Sequence, residues 1–276
     1  MTITSLLVSL QLGQANDALL SVASGLAARY KAHVEGIALS QPIHISASDA
    51  YLVSDLAVED REARLKQMAE AEQAFRAAMA SRAPSVAWHA DIVLTNLAAA
   101  VAAHARAHDL IVAPTYTARP FTDPVPPVHL GDLIMQAGRP VLIVPPQAKT
   151  LALDHVLVAW KDGAPARRAA GDSLPLLKAA RRVTLAEIVP AERQAEAQER
   201  LAAVSTWLAR HGVTAEAKSF ATAGEDSDRL AALAQDLGAD LVVAGAYAHN
   251  RVQEWMFGGV TRSLLSHKER CILLSH

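Results

Sequence analysis

From residue 155 onward, short all-apolar runs alternate with longer stretches in which apolar side chains return every three or four positions. The short runs predict buried strands at 155–160, 183–189, 241–244 and 271–274, and a weaker alternation predicts one at 213–220. The longer stretches predict helices. One covers 164–180, with Pro175 as a kink. Another covers 192–211, where Ala197, Leu201, Val204 and Leu208 share a face and Gly212 marks the stop. A third covers 227–237 and ends at Gly238, and a short one follows Gly258 to about residue 267. The same order is predicted earlier in the chain. Strands at 3–10, 33–39, 86–91, 110–113 and 141–144 alternate with helices at 17–31, 57–80, 97–107 and 130–137.

The agreement extends to the letters. Asp109-Leu-Ile-Val-Ala-Pro114 returns 131 residues later as Asp240-Leu-Val-Val-Ala-Gly245. Arg139-Pro-Val-Leu-Ile-Val144 returns at the same distance as Arg270-Cys-Ile-Leu-Leu-Ser275. The amino-terminal strands, Leu6–Leu10 and Val156–Trp160, are 150 apart, so the first half carries about 19 extra residues. They fit residues 40–55 and a longer second helix. Pro145-Pro146-Gln-Ala-Lys-Thr150 reads as a linker. The expectation is an α/β protein of two doubly wound domains, 1–146 and 151–276. Each is a five-stranded parallel sheet with helices on both faces. Ligands on such sheets bind beyond the carboxyl ends of the strands, where strand order reverses. The loops after the first and fourth strands of each half are therefore the ones to search.

Composition narrows the function. With 51% hydrophobic and 20% charged residues the profile is that of a soluble globular chain. A net charge of −2 with no basic block gives no electrostatic case for nucleic acid or an anionic membrane. No apolar run reaches membrane-spanning length and no signal-like segment opens the chain, so the expected compartment is the cytoplasm. The lone Cys271 excludes an intrachain disulfide and reads as a buried small hydrophobe. His104 and His108 lie four apart, but no third ligand is evident in the sequence, so no metal site is expected and the pair reads as a solvated helix face. Neither a nucleophile elbow nor a phosphate-binding P-loop motif is present, and Gly171-Asp-Ser173 reads as surface.

After the fourth strand the second half reads Gly245-Ala-Tyr-Ala-His-Asn-Arg-Val-Gln-Glu-Trp-Met-Phe-Gly258-Gly259-Val-Thr-Arg-Ser-Leu-Leu265. Glycine at both ends lets backbone approach a ligand, and a helix start offers free N–H groups to an anion. Geometry alone also accounts for these glycines. This stretch, with the order of elements along the whole chain, resembles the universal stress protein family, in particular its tandem members. That resemblance implies the strand order 3-2-1-4-5 and final strands that pair across a dimer, here within one chain as a pseudo-dimer. A homodimer of the whole chain stays open.

The family's nucleotide binders carry glycine, two residues, glycine, nine residues, glycine, then serine or threonine. This sequence has Gly245, Ala248, Gly258 and Gly259 at those places. The resemblance implies an adenine-nucleotide site, ATP or a relative, formed by Trp160, Lys161, Asp162, Gly245, Tyr247, Ala248, His249, Gly258, Gly259, Val260 and Thr261. Gly259 lacks a hydroxyl worth about 1.5–3 kcal/mol to a phosphate, which Thr261 would replace. Lys161 stands where the family places a ribose-binding aspartate, with Asp162 beside it. Trp160 either walls the adenine or simply packs, and Tyr247 and His249 project from the loop. In the first half, Pro114 and Pro127 replace the outer glycines, which marks that half as a structural partner.

Three functions remain: a stress-response ligand-binding or regulatory protein, a protein–protein scaffold with both pockets vestigial, or an enzyme with at most weak ATP hydrolysis. Glu254 and Asp162 are the carboxylates nearest the glycine loop and Arg251 and Lys161 the cations, with no positioned base, so no catalytic residue is expected.

Overall fold

Ten strands form one continuous sheet in a computed structural model that describes residues 2–42, 53–115, 127–222, 226–247, 259–265 and 269–276. The first-half strands are β1 (Ser5–Ser9), β2 (His33–Ser40), β3 (Val86–Ile92), β4 (Leu110–Pro114) and β5 (Val141–Val144). The second-half strands are β6 (His155–Trp160), β7 (Arg182–Val189), β8 (Glu216–Ala221), β9 (Leu241–Gly245) and β10 (Cys271–Ser275). The order across the sheet is β3-β2-β1-β4-β5-β10-β9-β6-β7-β8. Each half therefore has the expected order 3-2-1-4-5, with all pairs inside it parallel.

The halves meet where β5 and β10 pair antiparallel, with Leu142 opposite Leu273 and Ile143 opposite Ile272. This is the expected junction of final strands, and it covers two otherwise open sheet edges. A mirrored order joined by an antiparallel pair is the arrangement of a twofold axis normal to the sheet. The carboxyl ends of the strands consequently point in opposite directions in the two halves.

Helices α1 (Asp17–Tyr30), α2 (Val53–Met79), α3 (Leu97–His104) and α4 (Leu130–Ala137) belong to the first half. Helices α5 (Ala164–Asp172), α6 (Leu174–Ala179), α7 (Gln194–Arg210), α8 (Asp226–Asp236) and α9 (Gly259–Leu265) belong to the second. Strand residues alternate between two apolar layers. Leu6, Val8, Val156, Val158 and Leu273 pack under α1, α2, α5, α6 and α7. Leu7, Ile37, Leu157, Ile272 and Leu274 pack under α3, α4, α8 and α9. Both layers run through both halves because the twofold keeps each face on its own side.

The repeated aspartates explain themselves. Asp109 Oδ2 accepts from Thr4 N at 2.8 Å, Thr4 Oγ1 at 2.7 Å and Ser5 N at 3.1 Å. Asp240 does the same for the second half, accepting from Asp154 N at 3.0 Å and His155 N at 3.2 Å. Each ties the start of a fourth strand to the start of a first. Burial alone would raise the Asp109 carboxyl, but the Thr4 and Ser5 hydrogen bonds and the Arg139 charge outweigh it and hold its pKa below the ordinary value.

Where expectation and structure differ, local chemistry gives the reason. The helix expected over 164–180 is two helices. Pro175 has no N–H to continue the first, so the chain breaks at Ser173 and restarts with Pro175 in the first turn of α6. Ser173 is not surface: it is fully buried, and its Oγ donates to Ala170 O at 3.1 Å. The last turn of the helix expected over 97–107 tightens to a 3₁₀ turn at Ala105–Ala107. Cys271 is buried as expected, and burial, with the Asp240 charge, pushes its thiol up to about 12.

Candidate functional site

The order of strands reverses between β6 and β9, whose carboxyl ends lie side by side with Ala159 opposite Ala244. Trp160 and Gly245 thus end neighbouring strands. Three residues, 161–163, lead from β6 into α5. That short turn presses the first turn of α5 against β9. A Cβ on Gly245 would lie 2.4 Å from Ala166 N and 2.5 Å from Pro165 C. Glycine at 245 is therefore required by the chain's own backbone.

A cavity of about 510 Å³ opens on the same side of the sheet, between α5 and α7. Its walls include Trp160, Asp162, Arg167, Arg200 and Trp207. Trp160 is 7% exposed, and its indole Nε1 makes no hydrogen bond to another described residue. Asp162 is exposed and its Oδ1 accepts from Arg167 Nη2 at 2.8 Å. Glu187, opposite Trp160 in the β6–β7 register, is buried on this face and accepts from Arg200 Nη2 at 3.0 Å. That hydrogen bond, against a smaller opposing cost of burial, raises the Arg200 guanidinium above its already high pKa, with help from the Glu187, Glu196 and Asp162 charges. Glu187 Oε2 and Arg200 Nε have no further described partner. The arrangement is two indoles beside two guanidiniums, each already paired with a carboxylate: Arg167 with the exposed Asp162 and Arg200 with the buried Glu187.

Of the residues expected at the site, the cavity brings together Trp160 and Asp162. Lys161 is exposed beside them and does not line it. Gly245 packs on α5. Tyr247, with φ +57°, turns to the first half instead of toward the cavity: its hydroxyl lies 2.5 Å from where a Cβ on Gly131 would stand, at the start of α4. Gly259 and Val260 begin α9, as the helix-start reading expected, and Thr261 is buried in its first turn. Ala248, His249, Arg251, Glu254 and Gly258 lie outside the described residues. Arg167, Arg200 and Trp207 escaped the sequence reading because they sit on helices rather than loops. The available signal was Glu187, an acid inside the apolar run Val183-Thr-Leu-Ala-Glu-Ile-Val189.

A profile of the universal stress protein family matches residues 166–270. The carboxyl-terminal region thus carries a universal stress protein domain. None of the curated proteins matches the sequence. Among solved structures, a universal stress protein from Archaeoglobus fulgidus superposes with a TM-score of 0.70 at 14% identity, over 99% of this chain and 96% of its own. A functionally unknown protein from Pseudomonas aeruginosa superposes with a TM-score of 0.61 at 18% identity, over 99% of this chain and 92% of its own. At such identities the likeness is one of fold, and it extends the universal stress protein architecture across both halves. Among the described residues no helix is long and apolar enough to cross a membrane.

Proposed function

We propose that this chain is a tandem universal stress protein, with domains at 1–146 and 151–276, that binds one adenine nucleotide in its second domain and reports occupancy to a partner. The observation that supports this reading is the cavity between α5 and α7, where Trp160, Asp162, Arg167, Arg200 and Trp207 meet. Its volume, about 510 Å³, lies within the ~300–1,000 Å³ usual for small-molecule sites. In this reading the base lies between the indoles of Trp160 and Trp207. Asp162 accepts a ribose hydroxyl with the oxygen Arg167 leaves free. The phosphates run toward the loop that opens α9, where the N–H groups of Gly259 to Thr261 receive them. The first domain serves as the structural partner.

The site binds without meaningful turnover. Phosphoryl transfer needs a held metal, a positioned nucleophile or charge stabilisation specific to the transition state. Asp162 is already engaged by Arg167, and no general base is positioned among the described lining residues.

The test begins with denaturing the purified protein and analysing what it releases by mass spectrometry, followed by titration with ATP. One nucleotide per chain is expected, with binding lost in Gly258→Trp and in Arg200→Ala and retained in Pro127→Ala. Two nucleotides per chain, or equal affinity in Gly258→Trp, would overturn the site. Steady-state phosphate release of many turnovers per minute, abolished in Asp162→Ala/Glu254→Ala, would make the protein an enzyme.

One observation favours the scaffold reading instead. Gly245 is explained by its packing on α5 and Tyr247 by its packing on the first half, so neither requires a ligand. No nucleotide released and none bound would decide for it.

A further inference from the structure

The amino ends of the first-half strands hold a cluster with a different chemistry. Glu35 on β2 faces two histidines: its Oε1 lies 3.4 Å from His104 Nδ1 and its Oε2 lies 3.4 Å from His108 Nε2. His33, two residues earlier on the same face of β2, stands beside His108, the ring centroids 6.5 Å apart and the planes inclined by 22°. One ligand atom from each of His33, Glu35 and His108 lies within 4.8 Å of the other two. In sequence His108 pairs with His104 at helical spacing. In the fold it lies beyond the 3₁₀ turn that ends α3 and leads into β4, so it meets the start of β2 across β1. The third ligand missing from the sequence reading is thus supplied by sheet order.

The hydrogen bonds say what the cluster lacks. His108 Nδ1 is 3.0 Å from His104 O. A carbonyl only accepts, so Nδ1 carries the hydrogen and Nε2 of the neutral ring presents a bare lone pair. That lone pair faces a carboxylate oxygen, another acceptor. His33 uses Nδ1 on Ser85 Oγ at 2.8 Å, which leaves Nε2 for the cluster. A single proton bridges one pair of acceptors. A cation with several coordination positions serves all three.

The second half shows the contrast at the corresponding place. Thr184 stands where Glu35 does, and His155 spends both ring nitrogens within the chain, Nδ1 on Leu237 O at 2.9 Å and Nε2 on Thr184 Oγ1 at 2.8 Å. Nothing there asks for a cation.

We propose that His33, Glu35 and His108 form a binding site for a divalent late transition metal, zinc by its donor set, with a fourth position open to water. Two imidazoles and one carboxylate suit zinc, whereas magnesium and calcium take oxygen ligands. Ligand atoms around a tetrahedral zinc with ordinary bond lengths stand about 3.3 Å apart. Glu35 and His108 already have that separation, and His33 closes by side-chain rotation. The Nδ1 contacts of His108 to a backbone carbonyl and of His33 to Ser85 are the kind of outer bond that orients a metal-bound imidazole. His108 is buried while His33 and Glu35 are partly exposed, which leaves the open position toward solvent.

The test uses the full chain stripped with a chelator and titrated with ZnCl₂ against a chromophoric competitor, with Co²⁺ as a spectroscopic substitute. The expected result is one Zn²⁺ per chain and a Zn²⁺-dependent rise in Tm. Glu35→Gln and His33→Ala should each weaken binding by about 100-fold or more, beyond the 10–100-fold typical of outer partners, and should change the visible Co²⁺ spectrum. His211→Ala, far from the cluster, should bind like wild type. His108→Ala removes a buried ring and tests folding as much as binding, so the other two variants decide the question, their fold checked by circular dichroism. Zn²⁺ affinity and Tm shift equal in wild type and Glu35→Gln would overturn the site. So would a cluster whose influence on stability varies with pH but not with metal, since that is the behaviour of a protonated histidine–carboxylate group.

Discussion

The two halves share a sheet and differ at its ends. At the carboxyl end of the first and second strands, the first half places Leu10 and Ala38, both buried and apolar. The second half places Trp160 and the buried Glu187 there, with Arg200 across from them, and beside them lies the cavity. At the end of the fourth strand the first half has Pro114 and the second Gly245. Seven residues, 10–16, separate β1 from α1, whereas three, 161–163, separate β6 from α5. The long turn leaves space for a proline ring, and the short one leaves no space even for a Cβ. At the amino end the polarity is reversed: His33, Glu35 and His108 cluster in the first half, while the second has a self-satisfied His155–Thr184 pair. Strand pairing and the anchoring aspartates must work in both copies, so they match. Strand ends carry no ladder, so each copy has gone its own way there.

The largest expected effect tests what the halves share. Leu142 and Leu273 face each other across the seam and both are fully buried. Leu142→Ala and Leu273→Ala should each cost about 2–5 kcal/mol, read as a shift in urea midpoint. A cost below ~1 kcal/mol for either would mean that the seam is not equivalent from its two sides.

The next tests what they do not share. Gly245→Val drives a side chain into the backbone of α5 and should cost about 1–3 kcal/mol or more. Pro114→Val, at the matching place, should cost only about 0.4–1 kcal/mol through the unfolded chain. Equal losses in denaturant melts would erase the distinction between the two turns.

Two carboxylates give the halves opposite pH slopes. The folded-state pKa of Asp109 is depressed, so its contribution is present above the ordinary carboxylate range and is lost as pH falls through the folded value. Asp109→Asn should therefore be less stable than wild type near neutrality, with the gap closing in acid. Burial raises Asp172, against the opposing pull of the neighbouring Ser275 hydroxyl and the Arg139 and Arg168 charges. Its native state holds a proton longer than the unfolded chain, so stability falls as pH rises between the two values. Asp172→Asn should gain on wild type toward neutrality and match it in acid. Tm measured against pH for the two variants checks both signs, and slopes of the same sign would contradict them.

The smallest stability effect is the sharpest functional one. The Asp162–Arg167 pair is exposed, so Arg167→Ala should change stability by no more than about 0.5 kcal/mol. ATP affinity should nevertheless fall by about tenfold or more for loss of one hydrogen bond to a charged group. Unchanged affinity would remove Arg167 from the site.

Much of the fold was legible because its signals are local. The strands 141–144 and 155–160 and the helix 130–137 form over the residues that periodicity marks, since apolar spacing, Gly138 and the strand boundaries act within a few positions. The repeat at one offset told of two like halves before any pairing was known. Less legible was the break at Ser173, because a proline tells where a helix strains but not whether tertiary packing lets it bend or makes it restart. The candidate site was half legible. Trp160 and Asp162 follow a strand whose end could be read. Arg167, Arg200 and Trp207 come from helix faces whose neighbours depend on how α5 and α7 lie on the sheet.

By itself the sequence determined the elements, their duplication and the end of each strand where ligands gather, because backbone propensity and amphipathic period are properties of neighbouring residues. Only the tertiary structure decided which side chains meet. Tyr247 leaves the loop it belongs to for Gly131 in the other half, and Gly245 serves α5. His108 meets Glu35 and His33, not its helical neighbour His104 alone, at the proposed metal site. These encounters depend on the order of strands across the sheet and on the antiparallel seam, which bring together residues far apart in the chain.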